Sequence, residues 1–279
     1  MADDIRSAVD FYTRHPISVD IILEKLKAAR GHLDGVTPED LFAHDQDHYG
    51  GLAANDALAA RAGLAAGMTI ADFCAGLGGP ARYFAHRYGV DVTGIELTPA
   101  RVAGAAALTK LVGLQDRVRV VHGDVMAPPL DDASLDAVVS QEALLHVPDK
   151  TRALAAAWRV LNPGGRLAFT DWVAHRSLSD ADRDLMWRGM AVATLYSPAA
   201  YGALIERAGF ALEGAEDLTP AWGVILTERL AMYRKLRGEA EAAHTPTGHD
   251  AFYESYVRLV ELVNEGHLGG VRFAARKPA

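Results

Sequence analysis

The chain has 279 residues, half of them hydrophobic, with 28 basic against 36 acidic side chains and a single cysteine. That length allows one large domain with a full core, or one domain carrying a cap, and a lone Cys74 rules out a disulfide scaffold. A formal charge of −8 without clustered Lys and Arg disfavours nucleic acid or an anionic membrane as main partner, which leaves a neutral or cationic small molecule.

Residues 1–15 mix Asp3, Asp4, Arg6 and Asp10 among apolar residues, so neither a signal peptide nor an anchor is expected there. The stretch 52–71 is interrupted by Asn55, Asp56, Arg61, Gly63 and Gly67 and is too broken to span a bilayer. Cytoplasmic residence is the expected default. Val19, Ile22, Leu23, Leu26 and Ala29 recur at helical spacing, which predicts a helix over 18–30, and a second helix is predicted over 55–65. Residues 1–67 therefore read as an N-terminal helical segment closing over a site built by residues 68–279.

From Met68 to Val173 short apolar runs alternate with helical stretches, the pattern of a parallel sheet with crossover helices. Strands are predicted over 69–73, 91–96, 117–122, 135–140 and 166–171, and helices over 80–88, 99–112 and 150–161, each opened by Pro, Thr or Asp. Beyond Val173 come predicted helices over 179–195 and 198–208, a strand over 211–216 and a helix over 224–236. A polar linker over 238–250, a helix over 251–264 and a strand over 271–275 complete the chain. The expected fold class is α/β: a Rossmann-like, doubly wound, mostly parallel seven-stranded sheet with helices on both faces, N-terminal helices, and a helical lid insertion over about 176–210.

The sharpest local signal is Asp72-Phe73-Cys74-Ala75-Gly76-Leu77-Gly78-Gly79-Pro80, between a predicted strand and a predicted helix. Glycines there let the backbone turn tightly and approach a ligand closely. Glu96 stands twenty positions after Gly76 at the end of the next strand, where a carboxylate can accept both hydroxyls of a ribose. Those features alone also fit a nicotinamide-binding fingerprint, Gly76-x-Gly78-x-x-Ala81. Asp72 adds an acidic group before the loop, suited to the ammonium of an amino-acid-bearing cofactor, and Asp124 follows the third strand, placed for an adenine amine. Asn162-Pro163-Gly164-Gly165-Arg166 forms a turn before the fifth strand, and the three strand-end carboxylates share one rim of a doubly wound sheet.

At these residues the chain resembles the class I S-adenosylmethionine-dependent methyltransferases, over roughly 69–171 and more loosely to the C-terminus. Within that family it looks most like small-molecule amine N-methyltransferases of the phosphoethanolamine and glycine or sarcosine type. Tyr49-Gly50-Gly51-Leu52, the segment Ala75 to Tyr83, Glu142-Ala143-Leu144-Leu145-His146-Val147 and Thr170-Asp171-Trp172 carry that likeness. The resemblance implies S-adenosylmethionine as cofactor, its methionine part held by Asp72, Cys74, Ala75, Gly76 and Gly78. It implies Glu96 and Leu97 at the ribose, Gly123, Asp124 and Val125 at the adenine, and Gln141 as a further cofactor contact. Leu145 and His146 would face the methyl group. In the phosphoethanolamine enzymes this histidine works with a tyrosine of the N-terminal segment, and no tyrosine here aligns to that partner. The chain also lacks the lysine and tyrosine set of a phosphate headgroup site, which argues against phosphoethanolamine itself. Cys74 stands where the family usually has glycine; it either substitutes as a small buried residue or narrows the methionine pocket.

His146 is the expected catalytic base, unless it caps or packs. Glu142 is either catalytic or a partner for backbone beside the cofactor. Tyr49 and His48, in the loop ahead of the core, are expected at the site, Tyr49 catalytically and His48 at the substrate, unless that loop is a surface turn. Asp171 and Trp172 pair an anion with an aromatic ring, which suits an ammonium or sulfonium through charge and cation–π attraction; Trp172 as core is the alternative. Trp187, Arg188 and Tyr196 are expected to contact the substrate from the lid, or Arg188 lies on a solvated face. No metal ligand set is expected. The expected reaction is methyl transfer to a small-molecule acceptor, foremost an amine nitrogen, by aligning nucleophile and methyl carbon. Alkyl transfer or cyclisation releasing methylthioadenosine is the rival, and a nicotinamide oxidoreductase or a catalytically idle cofactor-binding subunit are remote ones. A homodimer is an open expectation.

Overall fold

The computed structural model describes residues 2–13, 17–242 and 250–279. Ahead of the sheet lie α1 (Ala2–Thr13), α2 (Val19–Arg30), α3 (Pro38–Phe42) and α4 (Gly51–Ala62). The core alternates β1 (Thr69–Phe73), α5 (Gly79–Tyr88), β2 (Asp91–Glu96), α6 (Pro99–Leu111) and β3 (Val118–His122). It continues through β4 (Leu135–Gln141), a 3-10 turn (Leu144–His146), α7 (Lys150–Val160) and β5 (Leu161–Ala174). The C-terminal part adds α8 (Asp180–Met190), α9 (Pro198–Arg207), β6 (Ala211–Asp217), α10 (Thr219–Ala242), α11 (Asp250–Asn264) and β7 (Leu268–Arg276).

Among the described residues the strands form one seven-stranded sheet in the order β3-β2-β1-β4-β5-β7-β6. β1 to β5 run parallel, and β7 is antiparallel to both β5 and β6. After β3 the chain crosses back over the sheet to place β4 beside β1, and this switch point leaves a crevice at the carboxyl ends of β1 and β4. β1 and β4 are buried on both faces, which is why they read as near-continuous apolar runs rather than alternating ones.

The helices are closed by local signals. Ser18 accepts the Ile21 amide at the start of α2, and Gly31 ends that helix in the left-handed conformation. Asp149 caps α7 by accepting the Arg152 amide. One face of the sheet packs Phe73, Val138, Phe169, Tyr201 and Phe273, the other Ile70, Val92, Phe84 and Ala168. A separate apolar cluster joins Tyr49 and Trp172 to Trp222, Leu226 and Tyr256 of α10 and α11.

Several boundaries differ from expectation. β5 starts at Leu161, so the Asn162–Gly165 turn sits inside it as a register irregularity against β4. The helix predicted over 179–195 stops at Met190, because Ala191 turns left-handed with φ 52°. α10 begins at Thr219 and runs to Ala242, which makes the start of the predicted linker helical; residues 243–249 of that linker lie outside the described residues. Among the described residues, no helix is long and apolar enough to cross a membrane.

Candidate active site

The carboxyl ends of β1, β2 and β3 converge on a cleft of about 1080 Å³, counted to its open mouth. The loop after β1 is built on left-handed residues, Cys74 at φ 62°, Gly76 at 57° and Gly78 at 76°. For Cys74 that conformation is strained, and strain of this kind is held in place only where the surroundings over-determine it. A Cβ on Gly76 would come within 3.1 Å of the Arg101 guanidinium, a side-chain end that can give way, so it is the positive φ that favours glycine there.

Asp72 is 3% exposed and one of its carboxylate oxygens has no hydrogen-bond partner. Burial, and secondarily the charge of Glu96, pushes its carboxyl up to about 8. Glu96 is held in place by the Gly76 amide (2.9 Å) and the Thr98 amide (2.7 Å). Asp124 accepts the Met126 amide at 2.8 Å. Both polar atoms of the Gln141 side chain are buried and unpartnered. Asp72, Cys74, Ala75, Gly76, Glu96, Leu97, Gly123, Asp124, Val125 and Gln141 all line the cleft. Gly78 does not: it caps α5 behind the wall.

At the other end of the cleft stands His146. Its Nδ1 lies 3.0 Å from the carbonyl oxygen of Ala191, which can only accept, so Nδ1 carries the proton. In the neutral ring Nε2 is then the acceptor, and the Tyr12 hydroxyl donates to it at 2.8 Å. Burial holds the Tyr12 phenol well above its usual range, which keeps it a neutral donor. The Arg101 guanidinium stacks over the Tyr12 ring, 4.4 Å from its centre, and pairs with Asp47 at 3.4 Å. Ile5 and Ala8 of α1, with Met126, Val147 and Pro148, complete the apolar wall around this end.

Glu142 and His48 also line the cleft. Glu142 has φ 55° and both its carboxylate oxygens accept the Tyr49 amide, at 3.0 and 3.1 Å; burial pushes its carboxyl well above the usual range. It takes the backbone-holding option of its two sequence readings. His48 contacts the Tyr49 carbonyl (3.2 Å) and Gln46 (3.1 Å), and burial lowers its pKa.

Besides Gly78, seven expected residues are not brought to the cleft; one of them, Leu145, expected at the methyl group, is buried in the cluster of Trp172 and Met186. The Tyr49 ring packs between Trp172 and Trp222, 5.9 and 5.2 Å from their ring centres, under the Arg229 guanidinium. Trp172 packs in the buried apolar cluster. Asp171 is fully buried on the opposite face of β5, accepting from Lys150 (2.7 Å), Tyr201 (3.0 Å) and the Leu145 amide (3.0 Å), so it is committed to an internal ion pair. Arg188 pairs with Asp184 one helical turn away on a solvated face. Tyr196 packs on the core beside Tyr201. Trp187 donates its indole N–H to Asp4 of α1 at 3.1 Å.

α1 is what covers the cleft, and its key residue Tyr12 was missed by sequence reasoning. The signal was present: Ile5, Ala8 and Tyr12 follow helical spacing behind an acidic first turn of Asp3 and Asp4. Arg101 was also missed. It carried no motif, although among the described residues it is the one Lys or Arg side chain on the cleft wall.

Asp72, Glu96 and Asp124 stand along one rim of this parallel sheet, where an amino-acid end, a ribose and an adenine would each meet a carboxylate, and the unpartnered atoms of Asp72 and Gln141 fit such a group. These features define a nucleoside-cofactor enzyme of the doubly wound α/β class. Residues 71–169 match the family profile described as a methyltransferase domain. The 27-O-demethylrifamycin SV methyltransferase of Amycolatopsis mediterranei is 33% identical over 234 residues, 80% of this chain and 82% of that one. The glycine/sarcosine/dimethylglycine N-methyltransferase of Actinopolyspora halophila is 31% identical over 186 residues, 64% of this chain and a third (33%) of that one. A solved phosphoethanolamine N-methyltransferase 2 from Haemonchus contortus, bound to S-adenosylhomocysteine, superposes with TM-score 0.74 at 22% identity, over 91% of this chain and 59% of that one. The chain belongs to the class I S-adenosylmethionine-dependent methyltransferases and acts on a small molecule.

Proposed function

We propose that the chain methylates a hydroxyl oxygen on a predominantly apolar small molecule, with His146 receiving the hydroxyl proton. The observation that carries this reading is the fixed tautomer of His146. The Ala191 carbonyl occupies Nδ1–H, which leaves the Nε2 lone pair as a proton acceptor at the end of the cleft. Bound S-adenosylmethionine supplies an electrophilic methyl carbon. Asp72 and Gln141 hold its amino-acid end, Glu96 its ribose and Asp124 its adenine, while Ile5 and Ala8 exclude water. As the acceptor oxygen attacks, its proton passes to the Tyr12 oxygen and the Tyr12 proton moves to Nε2, so no phenolate accumulates.

An amine, the acceptor foremost in the sequence reading, would arrive as an ammonium. The acceptor end offers that charge mainly apolar walls; Asp47 is engaged with Arg101, and Glu142 with the Tyr49 amide. A buried unpaired charge is costly, which favours the neutral hydroxyl. The relative matched along most of both chains is named for 27-O-demethylrifamycin SV, a molecule that lacks an O-methyl group. The test is S-adenosylhomocysteine release with panels of hydroxyl-bearing and amine-bearing acceptors. Methyl ethers are the expected products, and turnover confined to amines would overturn the proposal. In Tyr12→Phe, kcat is expected to fall about tenfold to a hundredfold with little change in the acceptor KM, since one relay hydroxyl is lost and the apolar wall kept.

The elevated Asp72 carboxyl gives a second expectation. At pH 7 the free protein holds this proton, whereas a bound ammonium stabilises the carboxylate, so binding of S-adenosylhomocysteine should release about one proton. In the free protein the same group binds a proton that the unfolded chain has already lost, so stability falls as pH rises from its ordinary value of 3.8 to about 8. Calorimetry in buffers of different ionisation enthalpy reads the proton release directly, and Asp72→Asn should abolish it.

A further inference from the structure

Beside the cleft lies a second concavity of about 1410 Å³, open to solvent, between α8 and the extended segment that follows it. Its floor is apolar, made by Leu178, Met186, Val192 and Leu195, and Arg176 and Asp184 stand on its rim. The start of α1 links the neighbourhoods of the two spaces. Asp4 bonds to Trp187 in the wall of the groove, and the next residue, Ile5, lines the cleft.

We infer that the methyl acceptor occupies both spaces: its reacting hydroxyl lies under Tyr12 and His146, and its apolar body extends past the first turn of α1 into the α8 groove. This rests on the hydroxyl-methylation reading above and deepens it by naming the acceptor class. The acceptor is an extended, mainly apolar molecule with polar groups at its far end.

Three observations converge. The first is room. The cleft must take a whole nucleoside cofactor together with the reacting end of the acceptor, and its figure of about 1080 Å³ already includes the open space of the mouth. A bulky acceptor therefore needs space outside it. The second is continuity. The strip after α8 gives Val192 to Leu195 to the groove, and the same strip with Ala191 brackets the turn that carries His146. The amides of Ala193 and Thr194 donate to the Leu145 carbonyl (2.9 and 3.1 Å), Thr194 Oγ1 donates to the Val147 carbonyl (2.8 Å), and the Ala191 carbonyl fixes His146. A molecule seated on this strip lies one backbone layer from the base. The third is chemistry. An apolar floor under a charged rim matches an apolar body that ends in polar groups, and Trp187 offers a flat ring beside it.

The experiment uses alkyl 4-hydroxybenzoates with tails of about one to ten carbons as probes, titrated calorimetrically into the full chain saturated with S-adenosylhomocysteine. Tails that reach the groove should each gain about fourfold in affinity per added methylene, the increment expected for burying a CH₂ group. In Leu195→Glu and in Trp187→Ala the ratio of decyl to methyl affinity should fall at least about tenfold. The ratio is taken within each variant, so a uniform weakening cancels, and retained S-adenosylhomocysteine affinity reports an intact fold. A series that is flat with tail length, or a ratio unchanged in both variants, overturns the inference. Because binding is read without turnover, the groove is judged even if no methyl ether forms. Conversely, methyl ether formation on the methyl ester with a flat binding series would sustain the reaction and remove the groove.

Discussion

In His146→Ala, kcat is expected to fall by roughly 10²- to 10⁴-fold, the range for losing a positioned general base, while S-adenosylhomocysteine affinity stays within about threefold. The separation follows from where His146 sits. It lines the acceptor end of the cleft, and its ring nitrogens meet Tyr12 on α1 and the Ala191 carbonyl, neither of which holds the cofactor in this reading. Deleting the imidazole leaves Asp72, Glu96, Asp124 and Gln141 in place. A histidine that merely packs would behave differently, lowering thermal stability and rate together. His146→Asn tests this further, because a side-chain amide can donate to the Ala191 carbonyl yet cannot take a proton. Its rate should remain as low as that of the alanine variant even where its melting temperature recovers. Added imidazole should restore part of the rate to His146→Ala, and leave Tyr12→Phe unaffected because its base is present. Steady-state release of S-adenosylhomocysteine with calorimetric binding reads all of these, and wild-type turnover in His146→Ala would remove the histidine from the chemistry.

The proposed cofactor half of the site was legible as one rim because its residues are local in sequence. Asp72 and the glycine loop lie in one strand–turn–helix unit, and Glu96 and Asp124 end the next two strands, so spacing alone carries them to one rim. The acceptor half was not, because its contacts cross the chain. Tyr12 and His146 are 134 positions apart, and the carbonyl that fixes the histidine belongs to a non-glycine residue in the left-handed conformation, which no motif announces. Asp171 and Trp172 are the opposite case, separable by strand geometry alone. Successive strand residues point to opposite faces, so two neighbours within β5 cannot both reach one ligand. Asp171 turns towards α7 and α9, Trp172 towards α10 and α11.

Lys150→Met is expected to destabilise the fold by about 3–5 kcal/mol, the cost of leaving one charge of a buried pair uncompensated. Lys150 and Asp171 are 1% and 0% exposed and 2.7 Å apart, and burial pulls the Lys150 pKa down, so neither charge can turn to water if its partner is removed. With a loss of about 2–4 °C per kcal/mol in domains approaching this size, the melting temperature should drop by about 10 °C. The pair itself is a different matter, since forming it requires desolvating both ions. Lys150→Met combined with Asp171→Leu removes both charges and should recover much of that loss, though not all of it. Tyr201 and the Leu145 amide would then lack their acceptor, at about 1–3 kcal/mol for each group left unpaired. A double variant as unstable as the sum of its two singles would show that the charges are not coupled. Asp171→Asn separates stability from rate, because its amide oxygen can still accept the Leu145 N–H that fixes the residue before His146. Its kcat should therefore exceed that of Asp171→Leu, even though both leave Lys150 without a counter-charge.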